Sequence, residues 1–171
     1  MTASPLGAHL AVDRPPLDRA RIEALIPHQG AMCLLEAMTD CDATTIRCLT
    51  TDPRDPSHPL RDAQGLPAAA ALEIASQAMA LHGTQNSPPG AGAVPRAGFL
   101  ASVRELRLHV ARLDDAPGPL AVRATLLAGD ARQAMYRFEL HDAAGRCLAE
   151  GRATVILEGD TTPAAGAADR P

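Results

Sequence analysis

The stretch that decides the fold runs from Pro67 to His82 and reads PAAAALEIASQAMALH. Proline suits the first position of a helix, where its missing N–H costs nothing, and the alanine run that follows has the highest helix propensity available. Gly83 is placed to end the helix. A 3.6-residue period predicts one helix face of mostly small groups, formed by Ala68, Leu72, Ala75, Met79 and His82. We therefore predict one long helix that a sheet can approach closely.

The segments on both sides of this helix alternate between apolar and polar residues, as β-strands do. Residues 32–51 predict two strands joined by a turn near Asp40–Asp42, preceded by a short helix at 17–25 that Pro27 ends. Residues 104–159 predict three or four further strands. The order strand, strand, helix and then strands indicates an α+β fold in which an antiparallel sheet wraps around one long central helix.

The length of 171 residues is enough for one domain and too short for two. Residues 1–16 are rich in Pro and Ala without a period, which predicts a flexible N-terminal arm. Residues 159–171 are small and polar, which predicts a disordered tail. The folded domain should therefore span residues 17–158.

Charge and composition argue against several classes of function. The net charge is −4 and the arginines form no cluster, which argues against nucleic-acid binding. No apolar run approaches the ~20 residues that span a bilayer, and the N-terminus does not resemble a secretory signal. The four cysteines form no C-x-x-C pair, which predicts buried free thiols, no metal site and a reducing, cytoplasmic compartment.

Two segments resemble the β-hydroxyacyl-acyl-carrier-protein dehydratases. Residues 26–36, IPHQGAMCLLE, are similar to the L-P-H-R-x-P-x-L-L-x-D entry strand of that family. Residues 67–78 resemble its P-G-x-L-x-x-E-A-x-A-Q helix, with Glu73 six residues after the proline and Gln77 four residues later. The resemblance covers about residues 20–158 and is strongest to the divergent, ApeP-like group of aryl-polyene gene clusters.

This resemblance implies a hotdog fold and a dehydratase. Such an enzyme removes water from a 3-hydroxyacyl thioester to give a trans-2-enoyl thioester in fatty-acid or polyene-type synthesis. The implied partner is the acyl carrier protein whose phosphopantetheine holds the substrate, and no cofactor is implied. Members of the family form dimers, which implies a homodimer or a hotdog heterodimer here.

The resemblance places the catalytic residues in named positions. Glu73 is the expected acid, and its burial in an apolar helix should raise its pKa. The expected base is His28 or His58, because the family's G-H-F-P histidine falls at Pro59 and His58 is the nearest imidazole.

Three helix residues are expected to bind the substrate or support the site. The backbone N–H of Ala68, which replaces the family's glycine, and that of Ala69 should hold the thioester carbonyl. Gln77 is expected to bond within the protein rather than react.

Several alternatives stay open. A hotdog thioesterase would need only the helix carboxylate to activate water, and a non-catalytic hotdog subunit would pair with an active dehydratase. The loop from Pro88 to Pro95 could border an acyl tunnel or contact a carrier protein, but a passive linker is the favoured interpretation. The remaining histidines are expected in the arm, at a helix end or on strand surfaces, namely His9, His82, His109 and His141.

Overall fold

A computed structural model describes residues 14–86, 98–130 and 132–157. The expectations for the first thirteen residues, for His9, for the loop from Pro88 to Pro95 and for the tail from Gly159 lie outside these ranges. In chain order, three strands and a short helix precede one long helix, and four strands follow it. The predicted α+β architecture is confirmed.

The elements have the following bounds. A two-residue strand β1 (Leu17–Asp18) leads directly into the short helix α1 (Arg19–Glu23). The long helix is α2 (Ala70–Gln85). The remaining strands are β2 (Leu35–Cys41), β3 (Thr45–Thr50), β4 (Gly98–Leu108), β5 (Ala121–Gly129), β6 (Gln133–His141) and β7 (Cys147–Leu157).

The seven strands of the described residues form one antiparallel sheet in the order β1-β2-β3-β5-β6-β7-β4. The helix α2 packs on one face of this sheet, against β2, β3, β5 and β6. Its nine buried residues include four alanines, so the sheet lies close to the helix axis, as the small face predicts. The eleven-residue β4 ends the sheet order and has one edge without a strand partner in the described chain.

The helix begins three residues later than Pro67 and ends beyond Gly83, so both predicted ends of α2 are wrong. At the start, the N–H of Ala68 donates to the carbonyl of Ala111 at 3.0 Å, which ties this residue to the chain after β4. At the end, the Thr84 hydroxyl contacts the carbonyls of Leu25 and Ala80, which anchors the last turn to the loop after α1. Both ends are therefore set by contacts with residues distant in sequence.

A missing side chain makes room for the largest core residue of the sheet. A Cβ added at Gly151 on β7 would lie 3.0 Å from the ring of Phe138, its direct cross-strand partner. Because Phe138 is 1% exposed and cannot move away from the core, glycine is required at this position.

Candidate active site

Glu73 occupies the first turn of α2, on the side that faces the loop after α1. Its side chain is 34% exposed, so the carboxylate is in contact with solvent although the helix around it is largely buried. The bond from Ala68 to Ala111 delays the start of the helix, and this places Glu73 closer to the helix N-terminus than the sequence indicates. A carboxylate in this position is stabilised by the helix dipole.

His28 is brought to Glu73 by the loop that follows α1. The distance between its Nε2 and Oε1 of Glu73 is 3.1 Å. The neighbouring Gln29 amide donates to the carbonyls of Glu23 and Ile26, and the Arg19 guanidinium donates to the carbonyl of Gly30. These side-chain bonds hold the loop on both sides of the imidazole and so fix its position beside Glu73.

Gln77 completes the support of the carboxylate from one turn further along α2. Its Nε2 donates to Oε1 of Glu73 at 3.0 Å and to the carbonyl of Met32 at 2.8 Å, while its Oε1 accepts from the N–H of Leu34 at 2.8 Å. The side chain is completely buried. All these bonds of Gln77 therefore lie within the protein, and they join α2 to the entry of β2.

Glu73 is consequently an ionised group whose oxygen Oε1 accepts hydrogen bonds from His28 and Gln77. The hydrogen bond from His28 lowers its pKa from the ordinary value of 4.5; burial acts in the opposite direction, and the bond from Gln77 adds to the lowering. The expected rise of this pKa is wrong, because burial is outweighed by two donors to Oε1. The second oxygen, Oε2, accepts no hydrogen bond from the described residues.

The protonation of His28 follows from its neighbour. Because the ionised Glu73 accepts at 3.1 Å, the proton of the neutral imidazole belongs on Nε2. The other nitrogen, Nδ1, is buried and has no hydrogen-bond partner within the described ranges. A proton on Nδ1 would therefore be buried without an acceptor, which independently favours the same tautomer.

The two backbone donors expected at the helix start differ in availability. The N–H of Ala68, which the sequence analysis expects to hold a thioester carbonyl, already donates to the carbonyl of Ala111. Ala69 is the N-cap residue of α2 and is exposed, and its N–H has no acceptor in the part of the chain that is described. Of the two, Ala69 alone can offer a free donor at this end of the helix.

His58 lies in a separate concavity and is not linked to Glu73 by any hydrogen bond or ion pair of the described residues. Its Nδ1 accepts from the N–H of Leu60 at 3.3 Å, so Nε2 bears the proton, and burial lowers its pKa. The ring is nearly buried and lines a cavity of about 360 Å³ together with Thr50, Thr51, Ser57, Pro59 and Pro119, among others. Neither His28 nor Glu73 lines this cavity.

The loop that holds His58 is clamped to the chain after β4 by Asp114. This carboxylate accepts from the N–H of Leu66 at 2.9 Å and from Arg61 at 3.0 Å. Burial acts to raise its pKa, but these bonds outweigh it and leave the pKa lowered. Gly65 has a φ of +120°, and a Cβ there would lie 2.5 Å from Asp114, so the clamp requires glycine at this position.

His82 lies in the last turn of α2, at the helix end where the sequence analysis placed it, and it is buried there. It is 1% exposed, with Nδ1 3.0 Å from the Tyr136 hydroxyl and Nε2 3.0 Å from the carbonyl of Asp42. The 3.6-residue period puts His82 on the small, sheet-facing side of the helix, and that signal could have identified it as buried. The structure places His109 3.2 Å from Glu150 on an exposed surface.

The other sequence expectations concern thiols, metals and membranes. All four cysteines are free, as predicted, and Cys33, Cys41 and Cys48 are buried, whereas Cys147 is only partly buried. Burial raises the pKa of Cys48 to about 12, so it is an unreactive core group. Among the described residues, no three His, Cys, Asp or Glu side chains are grouped to hold a metal ion, and no helix is long and apolar enough to cross a membrane.

Comparison with solved structures finds proteins of the same fold. The dehydratase heterocomplex ApeI:P from Xenorhabdus doucetiae matches with a TM-score of 0.71 and 24% identity, over 82% of this chain and 92% of that chain. Zebrafish thioesterase superfamily member 2 matches with a TM-score of 0.58 and 14% identity, over 82% and 95%. The thioesterase HI1161 from Haemophilus influenzae gives 0.53 and 10%, over 71% and 77%. These likenesses show a hotdog fold.

The sequence itself distinguishes between dehydratases and thioesterases. A search of curated proteins gives no match. A family model described as ApeP dehydratase, of the ApeP-like family, matches residues 20–164. This match covers most of the chain, including the loop of His28 and the helix of Glu73. It confirms the resemblance drawn from residues 26–36 and 67–78. The chain belongs to the ApeP-like family of hotdog dehydratases.

Proposed function

We propose that this dehydratase removes water from 3-hydroxyacyl thioesters presented by an acyl carrier protein and releases trans-2-enoyl thioesters. The proposed setting is fatty-acid or polyene-type synthesis in the cytoplasm. The observation that supports it best is the contact of 3.1 Å between His28 and Glu73, at the exposed start of the one long helix. Dehydration needs a group that takes a proton from C2 and a group that gives a proton to the hydroxyl on C3.

We propose Glu73 as the base, which reverses the expected roles of acid and base. A carboxylate with a lowered pKa is ionised at neutral pH and cannot donate a proton in the resting enzyme. His28 cannot accept at Nε2, because that nitrogen donates to Oε1 of Glu73. The free oxygen Oε2 is the atom with an available lone pair, while Oε1 is fixed by His28 and Gln77.

The proposed reaction balances with Glu73 alone as the proton carrier. Oε2 takes the C2 proton, and the negative charge that develops on the thioester oxygen is held by the N–H of Ala69 at the positive end of α2. One well-aimed donor of this kind contributes about 3 kcal/mol. The C2–C3 double bond then forms as the C3–O bond breaks, and the carboxyl returns the same proton to the departing oxygen as water.

His28 is proposed to hold and tune the carboxylate rather than to touch the leaving group. Its bond to Oε1 keeps Glu73 ionised and directs Oε2 outwards. His58 lines a cavity that neither His28 nor Glu73 lines, and it has no proposed role in proton transfer, since its proton is on Nε2 and its pKa is lowered. This leaves it able to donate a hydrogen bond but poorly suited to gain a charge.

The test is the dehydration of a 3-hydroxyacyl-pantetheine thioester, followed by mass spectrometry. The substitution Glu73→Gln should lower the rate by about 10³-fold, the middle of the range for loss of a general base. The control Glu139→Gln makes the same chemical change on β6, on the face of the sheet away from α2, and should keep the wild-type rate. Wild-type activity in Glu73→Gln would overturn the proposal.

The pH profile separates the two assignments of Glu73. If Glu73 is the base, kcat/KM rises through its lowered pKa, below 4.5, and then stays level towards neutral pH. If Glu73 were the acid and a histidine the base, the active enzyme would carry one proton on the pair, so kcat/KM would be bell-shaped and would fall again above the ordinary histidine pKa of about 6.5. A falling limb near pH 6.5, in both the wild type and the Glu139→Gln control, would return the base role to a histidine.

A thioesterase is the second candidate, because a free ionised carboxylate oxygen can also activate water. The discriminating substrate is the corresponding acyl-pantetheine without the 3-hydroxyl group, which can be hydrolysed but not dehydrated. Release of free thiol from this substrate, at a rate equal to or above the dehydration rate, would favour hydrolysis. We expect no release of thiol from either substrate.

We propose that the protein works as a hotdog dimer joined through β4. The free edge of this eleven-residue strand presents unpaired backbone groups, which proteins normally cover. The match to a dehydratase heterocomplex favours a related second chain over a second copy. Co-expression with a hotdog homologue should give a mixed dimer by mass measurement. Dehydration that appears only in the mixed dimer and survives Glu73→Gln would mean that this chain is a non-catalytic subunit.

A further inference from the structure

The face of the sheet opposite to α2 has an unusual distribution of charge. Residues that are direct cross-strand partners lie on the same face of a sheet, and successive residues of a strand alternate between faces. Tyr136 and Phe138 of β6 are buried on the helix side, so Met135, Arg137 and Glu139 lie on the outer side. The strand register extends this outer surface to β4, β5 and β7.

Three arginines are direct neighbours across this outer surface. Arg104 on β4 is paired with Arg152 on β7, and Arg152 is paired with Arg137 on β6. Like charges directly opposite each other destabilise a sheet, so such a row has a cost in stability. We call these three residues the arginine row.

The row is only partly neutralised within the described chain. Arg152 donates to Glu105 at 2.8 Å, and Glu105 reaches it from a bulge in β4 where its φ is +53°. Arg104 and Arg137 form no ion pair with the described residues. The Nε atom of Arg152 is buried and has no hydrogen-bond partner there. The next row along the strands is different, since Glu139 and Glu150 stand there among the arginines.

Beside the arginine row lies a group of exposed apolar side chains on the same surface. Phe99 is paired with Ile156, and Met135 is paired with Thr154, which places these groups on the outer face. Their exposed fractions are 58% for Phe99, 48% for Ile156 and 40% for Met135. A shallow cavity of about 200 Å³ adjoins them, lined by Ala128, Gly129, Asp130, Gln133, Met135 and Thr154.

We propose that this surface docks an acidic protein that inserts an apolar side chain beside the arginine row, and that this protein is the acyl carrier. The inference rests on the proposed function, which requires a carrier. Guanidinium groups without a carboxylate partner match carboxylates on a partner, and the adjacent apolar patch and cavity supply the buried centre that a protein interface needs. The chain as a whole has a net charge of −4, but the arginine row makes this one face locally positive. An anionic protein is therefore attracted to this face.

Two other occupants fit the surface less well. A second copy joined face to face around a two-fold axis would bring one arginine row against the other. Nucleic acid needs a longer basic stripe than three arginines, and it does not use an exposed apolar patch of this kind.

The test compares carrier-linked and pantetheine-linked forms of one 3-hydroxyacyl substrate, using a purified acyl carrier protein of net negative charge. Arg137→Glu should raise KM for the carrier-linked form about 10-fold and leave kcat unchanged, and it should leave both constants unchanged for the pantetheine form. The control Arg21→Glu makes the same change of charge on an exposed residue of α1 and should alter neither. In the wild type, KM for the carrier-linked form should rise with salt, and this rise should be weaker in Arg137→Glu.

The variant should fold, because the substitution adds no group to a crowded site and replaces one of two opposed like charges. A carboxylate opposite Arg152 forms a favourable cross-strand pair, so the Tm of Arg137→Glu should equal or exceed that of the wild type. Equal KM values in Arg137→Glu and wild type for the carrier-linked form would overturn the docking surface. A second variant, Phe99→Ser, should weaken the carrier-linked reaction in the same way through the apolar patch.

Failure of the proposed function gives a different result. If the wild type does not dehydrate the pantetheine form, the proposed reaction is wrong, independently of any effect of Arg137→Glu. The docking surface is then decided by fluorescence anisotropy with the labelled carrier. Weaker binding to Arg137→Glu than to Arg21→Glu supports it, and equal binding or no binding to the wild type refutes it.

Discussion

Two histidine contacts at opposite ends of α2 differ in almost every physical respect. His28 meets Glu73 at the start of the helix, where the carboxylate is partly exposed and one of its oxygens is free. His82 lies near the other end, completely enclosed, with both ring nitrogens within 3.0 Å of a fixed partner. A buried histidine with both nitrogens bonded stabilises the fold, whereas a contact that leaves an accessible atom without a partner is available for chemistry.

The largest expected effect is on stability and comes from His82→Ala. This change removes a buried ring, leaves the Tyr136 hydroxyl without its partner, and leaves the carbonyl of Asp42 with only the Asn86 amide as a donor, at 3.3 Å. The loss should cost about 3 kcal/mol in free energy of unfolding. Urea denaturation measures it. Activity per folded molecule should stay at the wild-type level, and a large loss of kcat in well-folded His82→Ala would break the distinction between the two histidines.

The reciprocal change is His28→Ala, whose effect should be on the reaction. Without the donor to Oε1, the pKa of Glu73 rises and Oε2 is no longer directed outwards, so kcat/KM should fall about 10²-fold. The free energy of unfolding should change by less than about 1 kcal/mol, because the contact is partly exposed. Steady-state kinetics and urea denaturation of the same sample check both statements, and His28→Gln, which keeps a donor, should recover part of the rate.

A smaller effect is expected for Tyr136→Phe. The substitution keeps the ring packed against His82 and removes only the hydroxyl, so Nδ1 loses one buried hydrogen bond at a cost of about 1–2 kcal/mol. Thermal unfolding measures this cost. No change in Tm would mean that the hydroxyl and the imidazole do not share a hydrogen bond.

The mildest perturbation is a change of pH, and its sign follows from burial. Burial lowers the pKa of His82 below the ordinary 6.5, although the carbonyl and carboxylate of Asp42 act in the opposite direction, and Arg14 adds to the lowering. In the unfolded chain His82 therefore binds a proton at a higher pH than it does in the folded chain. The free energy of unfolding falls as the pH drops through 6.5, until the lowered pKa of the folded state is reached.

The lowered pKa of His58 adds a contribution of the same sign, so a single unfolding curve does not isolate His82. The measurement is therefore the difference between wild type and His82→Gln in urea denaturation from about pH 7.5 to about pH 5, an interval that brackets the ordinary histidine pKa. The wild type should lose more stability over this interval than His82→Gln. Parallel curves would show that His82 does not stay neutral in the folded protein.

The sequence predicted the elements better than the interactions between them. The alanine run and Pro67 were sufficient to predict α2, and alternation was sufficient to predict its neighbouring strands, because both depend on local geometry. The pKa of Glu73 was assigned the wrong direction because its controlling donor, His28, is distant in the chain and the loop that delivers it has no periodic signal. The blocked N–H of Ala68 was missed for the same reason, since its acceptor is Ala111.

Asp114 has a consequence for how the protein can move. It fastens the loop of His58 to the segment after β4, and that same segment accepts the hydrogen bond from Ala68 at the root of α2. The loop of His58 and the start of α2 are therefore attached to the same short segment, residues 111–114. A displacement of this segment would move His58 and Glu73 together, and it would change the direction of the oxygen Oε2 that we propose as the base.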